Sequence, residues 1–196
     1  GQIRQVGHQS PDPRSAVSLP LSEGSDGELA VLALAGRQDA YRELLARHRD
    51  AVFRLVRASV GDPHEALDVT QETFIAAFSA LGRYDHGRPF VAWLKHIALN
   101  KCRDWGRRRK VRSFFTRAVP LEMAFDVSDD AIPADLQAAD RAELARVTAA
   151  ISRLPSRLRE VLVLRTIDGL GQAEAADVLG VSEKTVETRL YRARGK

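Results

Sequence analysis

Apolar positions recur along this chain with a helical period from Ser25 onward, and no such period precedes it. Residues 1–24 are rich in Pro, Ser and Gly, and that composition predicts a disordered extension. Ser25 and Glu28 have the spacing of a capping box, opening a short helix over 26–36. A second helix over 38–60 places Leu44, Leu45, Val52, Leu55 and Val56 at helical spacing. Gly61 stops it, and Asp62 as N-cap with Pro63 at the first helical position and Glu65 two further on starts the next. That third helix, 63–81, is expected to set Leu67, Phe74, Phe78 and Leu81 on one face. After a loop over 82–88, a fourth helix over 89–109 turns Phe90, Trp93, Leu94, Ile97 and Ala98 inward. Strand alternation is missing throughout, so the fold class is all-α.

The periodicity breaks over residues 111–137, where Pro120, Pro133 and many acids suggest a flexible linker, with one short amphipathic turn at Leu121–Phe125. It resumes in a helix over 137–153 and another from Pro155 to Ile167, ended by Asp168 and Gly169. The last stretch, QAEAADVLGVSEKTVETRLYRARGK from Gln172 to Lys196, has the spacing of a helix-turn-helix. Ala176 is small enough for two helices to approach closely. Gly180 supplies the positive φ of a tight turn. Ser182 caps the second helix, and Val186 with Leu190 forms the stripe that docks it on the first. The opposite face of that helix carries Lys184, Thr185, Glu187, Thr188, Arg189, Arg192 and Arg194, donors suited to phosphates and base edges in a major groove. The expected architecture is therefore two small helical domains, 25–110 and 138–196, joined by a flexible acidic linker over 111–137.

Charge sharpens this picture. The chain has a formal net charge of +4 and a pI near 9.6, which favours an anionic partner. Residues 101–112 carry seven positive charges against one negative, whereas 116–140 carry six negative against one positive. Two surfaces with different partners follow. Cys102 is alone, which excludes an intramolecular disulfide and fits a reducing cytoplasm. His96 has no second ligand at metal spacing, so neither zinc nor any other cofactor is expected. No apolar run is long enough to span a membrane and no signal core opens the chain. Gly1 in place of Met, and an end soon after the basic helix, suggest that natural residues are trimmed away. Gly-rich phosphate loops, paired metal ligands and Ser/His/Asp arrangements are all missing, so an enzyme is not expected.

Four motifs stand in a specific order: DVTQETF (Asp68–Phe74), FVAWLKHIALN (Phe90–Asn100), LPSRLREVLVLR (Leu154–Arg165) and SEKTVETRLYRAR (Ser182–Arg194). Together they resemble the extracytoplasmic-function (ECF) sigma factors, small bacterial transcription initiation factors, over roughly 26–110 and 138–196. The resemblance implies binding to core RNA polymerase and to promoter DNA, and control by an anti-sigma factor that wraps the two domains or wedges between them, masking their polymerase-facing surfaces. It implies that Asp68, Gln71 and Glu72 dock on the polymerase clamp, pairing with arginines. Tyr84, Asp85 and His86 would line a pocket for a base that leaves the stack at the downstream promoter element. Asn100, Arg103, Arg107, Arg108 and Arg109 would hold phosphates of duplex and opened strands there. Lys184, Thr185, Thr188, Arg189 and Arg192 would contact the upstream element, while Arg159 and Leu164 belong to the helix before the helix-turn-helix. The acidic linker would occupy a basic channel of polymerase. Glu187 departs from the basic residue often found at its position; it either accepts from a cytosine or leaves that position weak. Trp105, within the basic run, is open to either base stacking or packing.

Two other classes compete. A helix-turn-helix regulator unassociated with core polymerase would need a sensing domain, yet 26–110 has no β/α alternation. A helical protein-interaction module would leave both basic patches unexplained.

Overall fold

The computed structural model describes residues 21–117 and 138–195, and every regular element among them is helical. Eight α-helices follow in order: α1 Asp26–Leu34, α2 Gln38–Val60, α3 Pro63–Ser79, α4 Phe90–Arg117, α5 Ala138–Arg153, α6 Ser156–Leu162, α7 Gln172–Leu179 and α8 Glu183–Arg194. A π-helical segment, Val163–Ile167, continues α6.

Local chemistry sets the boundaries. Ser25 Oγ accepts from the Glu28 amide at 3.2 Å while Glu28 Oε2 accepts from the Ser25 amide at 2.7 Å, the reciprocal pair that starts α1. These bonds hold the Glu28 carboxyl below its ordinary range. Asp62 Oδ1 takes the amides of His64 and Glu65 at 2.9 and 3.0 Å, satisfying two free donors at the start of α3. Gly61, at φ 87°, ends α2 in the left-handed region.

Helix α2 runs through the middle of the first domain and packs against α1, α3 and α4. Leu44, Val52, Leu55 and Val56 are fully buried on it, and Leu29, Phe74, Leu81, Phe90 and Leu94 close around them. Near the start of α4, Tyr84, Phe90 and Trp93 stack with centroids 5.2 to 5.5 Å apart. In the second domain α6, α7 and α8 enclose Val161, Leu164, Ala175, Val178 and Val186.

Several expectations are revised. Residues 21–24 are ordered: a 3-10 turn, Leu21–Glu23, is held by Arg47, which donates to the carbonyls of Leu21, Ser22 and Gly24 at 2.7 to 2.9 Å. Leu67 leaves the core face of α3 and is 51% exposed. Ala66, Val69, Thr73 and Ala77 line that face instead, because small residues let α3 lie close against α2 and α4. Helix α4 runs eight residues beyond the expected end at 109, through the first part of the stretch assigned to the linker, since nothing in KVRSFFTR breaks a helix. The rest of that linker, with the turn expected at Leu121–Phe125, and residues 1–20 of the extension lie outside the described residues.

Candidate nucleic-acid interface

The helix-turn-helix is built as its spacing requires. Gly180 sits at φ 63°, ψ 40°, a conformation costly for any residue with a Cβ. The Val181 amide donates back to the Ala176 carbonyl at 3.1 Å, closing α7. Ser182 Oγ accepts from the Thr185 amide at 3.2 Å, opening α8. Val186 is fully buried against α7, which fixes the rotation of α8 and turns its other face outward. Lys184, Glu187, Thr188 and Arg192 are exposed there, and Thr185 and Arg189 half-buried. The face is convex, basic and uncovered, the shape a major groove accepts. Tyr191, 82% exposed, projects beside it, an aromatic outside the residues that the helical pattern assigns to this face.

On the first domain, loop 84–88 divides. Asp85 and His86 are exposed, with Asp85 Oδ1 accepting from the Gly87 amide at 2.9 Å in an Asx turn. Tyr84 is not a flexible pocket-lining residue; it is 7% exposed, its hydroxyl donates to the Arg88 carbonyl at 2.6 Å, and its ring stands edge-on to Phe90. Burial, then the Asp26 and Asp85 carboxylates, push its phenol pKa upward. An aromatic ring between two others gains more from burial than a polar loop does. Tyr84 anchors the loop from beneath.

Along α4 the basic residues differ in their freedom. Arg107, Arg108 and Arg109 are exposed. Arg107 pairs with Asp104 one turn back, Arg108 Nη2 reaches both Glu72 carboxylate oxygens at 3.1 Å, and the Arg109 guanidinium lies 5.2 Å from the Trp105 ring centroid. Trp105 itself packs. It is 5% exposed and its Nε1 donates to Glu65 Oε2 at 2.7 Å, which removes it from stacking on a base.

Asn100 and Arg103 are not the free basic edge expected of them. Arg103 Nη1 donates to Asn100 Oδ1 at 2.7 Å, and its other two nitrogens grip Glu160 of α6, Nε to Oε1 at 2.5 Å and Nη2 to Oε2 at 2.7 Å. Beside them Lys95 Nζ lies 2.6 Å from Asp168 Oδ2, an ion pair off the hydrogen-bonding direction, with both side chains under 10% exposed. Arg88 donates to the Asp177 carboxylate at 2.7 Å and carbonyl at 3.1 Å, and His96 Nδ1 donates to the Val178 carbonyl at 2.8 Å. Arg159 ties α6 to the end of α2, donating to the Ser59 carbonyl at 3.0 Å and the Ser152 carbonyl at 2.9 Å; burial lowers its pKa. These contacts between the domains carry no periodic signal and are not legible in the sequence.

On α3, Asp68 and Gln71 are exposed and Glu72 is half-buried beside Arg108. Leu67 and Ile75, 67% exposed, flank Gln71 at four-residue spacing. They border a groove of about 690 Å³ between α2 and α3, walled by Phe53, Phe74 and Phe78. An apolar strip beside carboxylates is a surface for a protein, not for DNA.

Comparison with known proteins decides the family. Residues 44–112 match the sigma-70 region 2 family and residues 144–196 the sigma-70 region 4 family. The chain belongs to the sigma-70 family. Within it, the chain is 46% identical over 178 residues to the RNA polymerase sigma factor CnrH of Cupriavidus metallidurans, covering 89% of this chain and 93% of that one. It is 33% identical over 165 residues to the ECF sigma factor SigW of Bacillus subtilis, covering 81% and 87%. These relatives make it an ECF sigma factor. The structure of CnrH in complex with the cytosolic domain of CnrY aligns with a TM-score of 0.64 at 38% identity, covering 88% of this chain and 94% of that one. RpoE of Bartonella quintana, solved with the anti-sigma factor NepR, shares the fold at 22% identity and a TM-score of 0.58, covering 79% and 92%. This sigma factor directs core RNA polymerase to promoters for transcription initiation, as its family does, and the reading as a regulator independent of polymerase is set aside.

Proposed function

We propose that this sigma factor divides its work among three surfaces, on α3, on α4 with the loop before it, and on α8, within two domains spanning 25–110 and 138–196. The α3 surface docks on the polymerase clamp: Asp68, Gln71 and Glu72 set orientation by pairing with basic groups, and Leu67 and Ile75 add apolar area. The α4 surface handles the downstream element. Asp85 and His86 receive the displaced base above Tyr84, while Asn100, Arg103, Arg107, Arg108 and Arg109 hold phosphates. The α8 surface reads the upstream element through Lys184, Thr185, Thr188, Arg189 and Arg192. The observation that carries this division is the separation of an apolar, acid-flanked strip on α3 from a basic, uncovered face on α8.

The sigma factor contributes no catalytic group and needs no cofactor; polymerase supplies the chemistry. It acts in the cytoplasm, where polymerase and promoters are. An anti-sigma factor restrains it, a reading supported by the solved complex of the similar CnrH with CnrY.

Reconstitution with sigma-free core polymerase and mapping of transcript starts on fragmented bacterial DNA tests the proposal. Starts clustered below a shared two-part element are expected. Asp68→Arg should weaken core binding with circular dichroism unchanged, and unchanged affinity would refute the clamp assignment.

A further inference from the structure

Between the basic end of α4 and the corner where α5 meets α6 lies a cleft of about 920 Å³. Six cationic side chains line it: Arg103, Arg107, Arg109 and Lys110 of α4, Arg153 at the end of α5 and Arg159 of α6. No carboxylate is among its lining residues. Glu160 and Asp104 pair with Arg103 and Arg107 from outside it. Among the described residues, no carboxylate pairs with Arg109, Lys110, Arg153 or Arg159. Packing holds the walls in place. Arg159 is fixed by the Ser59 and Ser152 carbonyls, and Gly61 lets α5 approach the end of α2, since a Cβ there would stand 3.3 Å from Ser152 Cβ. Arg103, Arg107 and Lys110 fall at i, i+4 and i+7, a row about 10 Å long on one side of α4.

We propose that this cleft binds a small oligophosphate, three or more linked phosphates, either as a free inorganic chain or as the phosphate tail of a nucleotide. Cations gathered in a concave space concentrate their field there and draw in an anion. Guanidinium forks match phosphate oxygens in pairs, and a lysine adds a point charge. A row of charges selects a ligand that is charged along its length; a single phosphate would leave most of the row unmatched. The volume is that of a small-molecule site, roughly 300–1,000 Å³, and the concave shape suits a short chain where the convex face of α8 suits a groove. The α4 row takes the chain lengthwise, and Arg153 and Arg159 close on it from the other wall. Lys110 and Arg153 belong to none of the polymerase or promoter surfaces assigned above, so the site does not rest on those assignments.

The test is calorimetric titration of the full chain, without polymerase or DNA, in metal-free buffer at constant ionic strength. Probes are inorganic tripolyphosphate, ATP, adenosine and orthophosphate. Expected are saturable one-to-one binding of tripolyphosphate and ATP, no binding of adenosine, and orthophosphate weaker by tenfold or more. Tighter binding of ATP than of tripolyphosphate would assign the nucleotide as the source, and equal or weaker binding the inorganic chain. A ligand of the folded chain also raises its unfolding temperature. Lys110→Gln and Arg153→Gln, both at exposed side chains, should each weaken tripolyphosphate several-fold and together remove the thermal shift, with circular dichroism unchanged. Lys184→Gln combined with Arg192→Gln, on the open face of α8, should leave tripolyphosphate binding as it was. Absence of saturable binding overturns the site, as does orthophosphate binding as tightly as tripolyphosphate. An equal loss in the α8 pair would reduce the effect to general attraction by a basic protein. Tighter binding of a thymidine oligonucleotide of equal charge, lost in the same cleft variants, would make the cleft a strand-holding surface and overturn the oligophosphate assignment.

Discussion

Trp105 of α4 and Glu65 of α3 are joined by a 2.7 Å hydrogen bond from the indole Nε1 to a carboxylate oxygen, and the Arg109 guanidinium covers the same indole. One buried ring thus locks the start of α3 to the basic end of α4, fixing how the basic run is presented. Trp105→Phe keeps most of the apolar packing but strands the Glu65 carboxylate. A loss of about 1.5–3 kcal/mol in urea unfolding is expected, the scale of a hydrogen bond to a charged group. A cost near zero would mean that water replaces the indole without penalty.

Asp62 caps α3 with two amide bonds. Asp62→Ala should lower stability by about 1 kcal/mol, and Asp62→Asn by much less, since either side chain can accept from the helix start. Thermal unfolding of the two variants side by side checks the ordering.

Gly180 has open space around the position a Cβ would take, so only its backbone conformation resists substitution. Gly180→Ala is expected to cost roughly 1–2 kcal/mol and to weaken upstream-element binding through the turn, with Gly180→Asn milder. Equal costs would show that the turn re-forms in another geometry.

Cys102 is buried, and desolvation pushes its thiol up to about 12. The folded chain keeps this proton while the unfolded chain releases it near pH 8.5, so stability from this group is full below that pH and declines as pH rises toward 12. Two outcomes are expected: thiol reagents at pH 8 modify Cys102 only at the rate of unfolding, and Cys102→Ala flattens the fall in stability between pH 9 and 11. Rapid labelling of the native chain would contradict the burial.

Arg189 lies on the outward face of α8, one turn beyond Thr185. Arg189→Ala should cost about 1–3 kcal/mol of upstream-element affinity and relax base preference at one position. A uniform loss on all sequences, with a shallower salt dependence, would assign it to phosphate instead.

Much of this could be read from the chain alone because it is local. Helix starts at Ser25, Asp62 and Ser182 depend on side chains within three residues of the amides they satisfy, and the turn at Gly180 depends on one backbone angle. The core face of α2 follows from its period, and the outward face of α8 from Val186. Sequence therefore determined the all-α class, the helix-turn-helix and the basic character of its exposed face. Tertiary structure decided what depends on partners distant in the chain. Periodicity could not tell that Leu67 would stay outside while smaller neighbours packed, because that choice is made by the closeness of α2 and α4. Nor could composition distinguish Tyr84 and Trp105, which the core absorbs, from Arg107 and Arg108, which it leaves outside. The pairing of Arg103 with Glu160, fifty-seven residues away, has no signature in either segment: each charge is ordinary on its own helix, and only the approach of the two domains makes one the partner of the other.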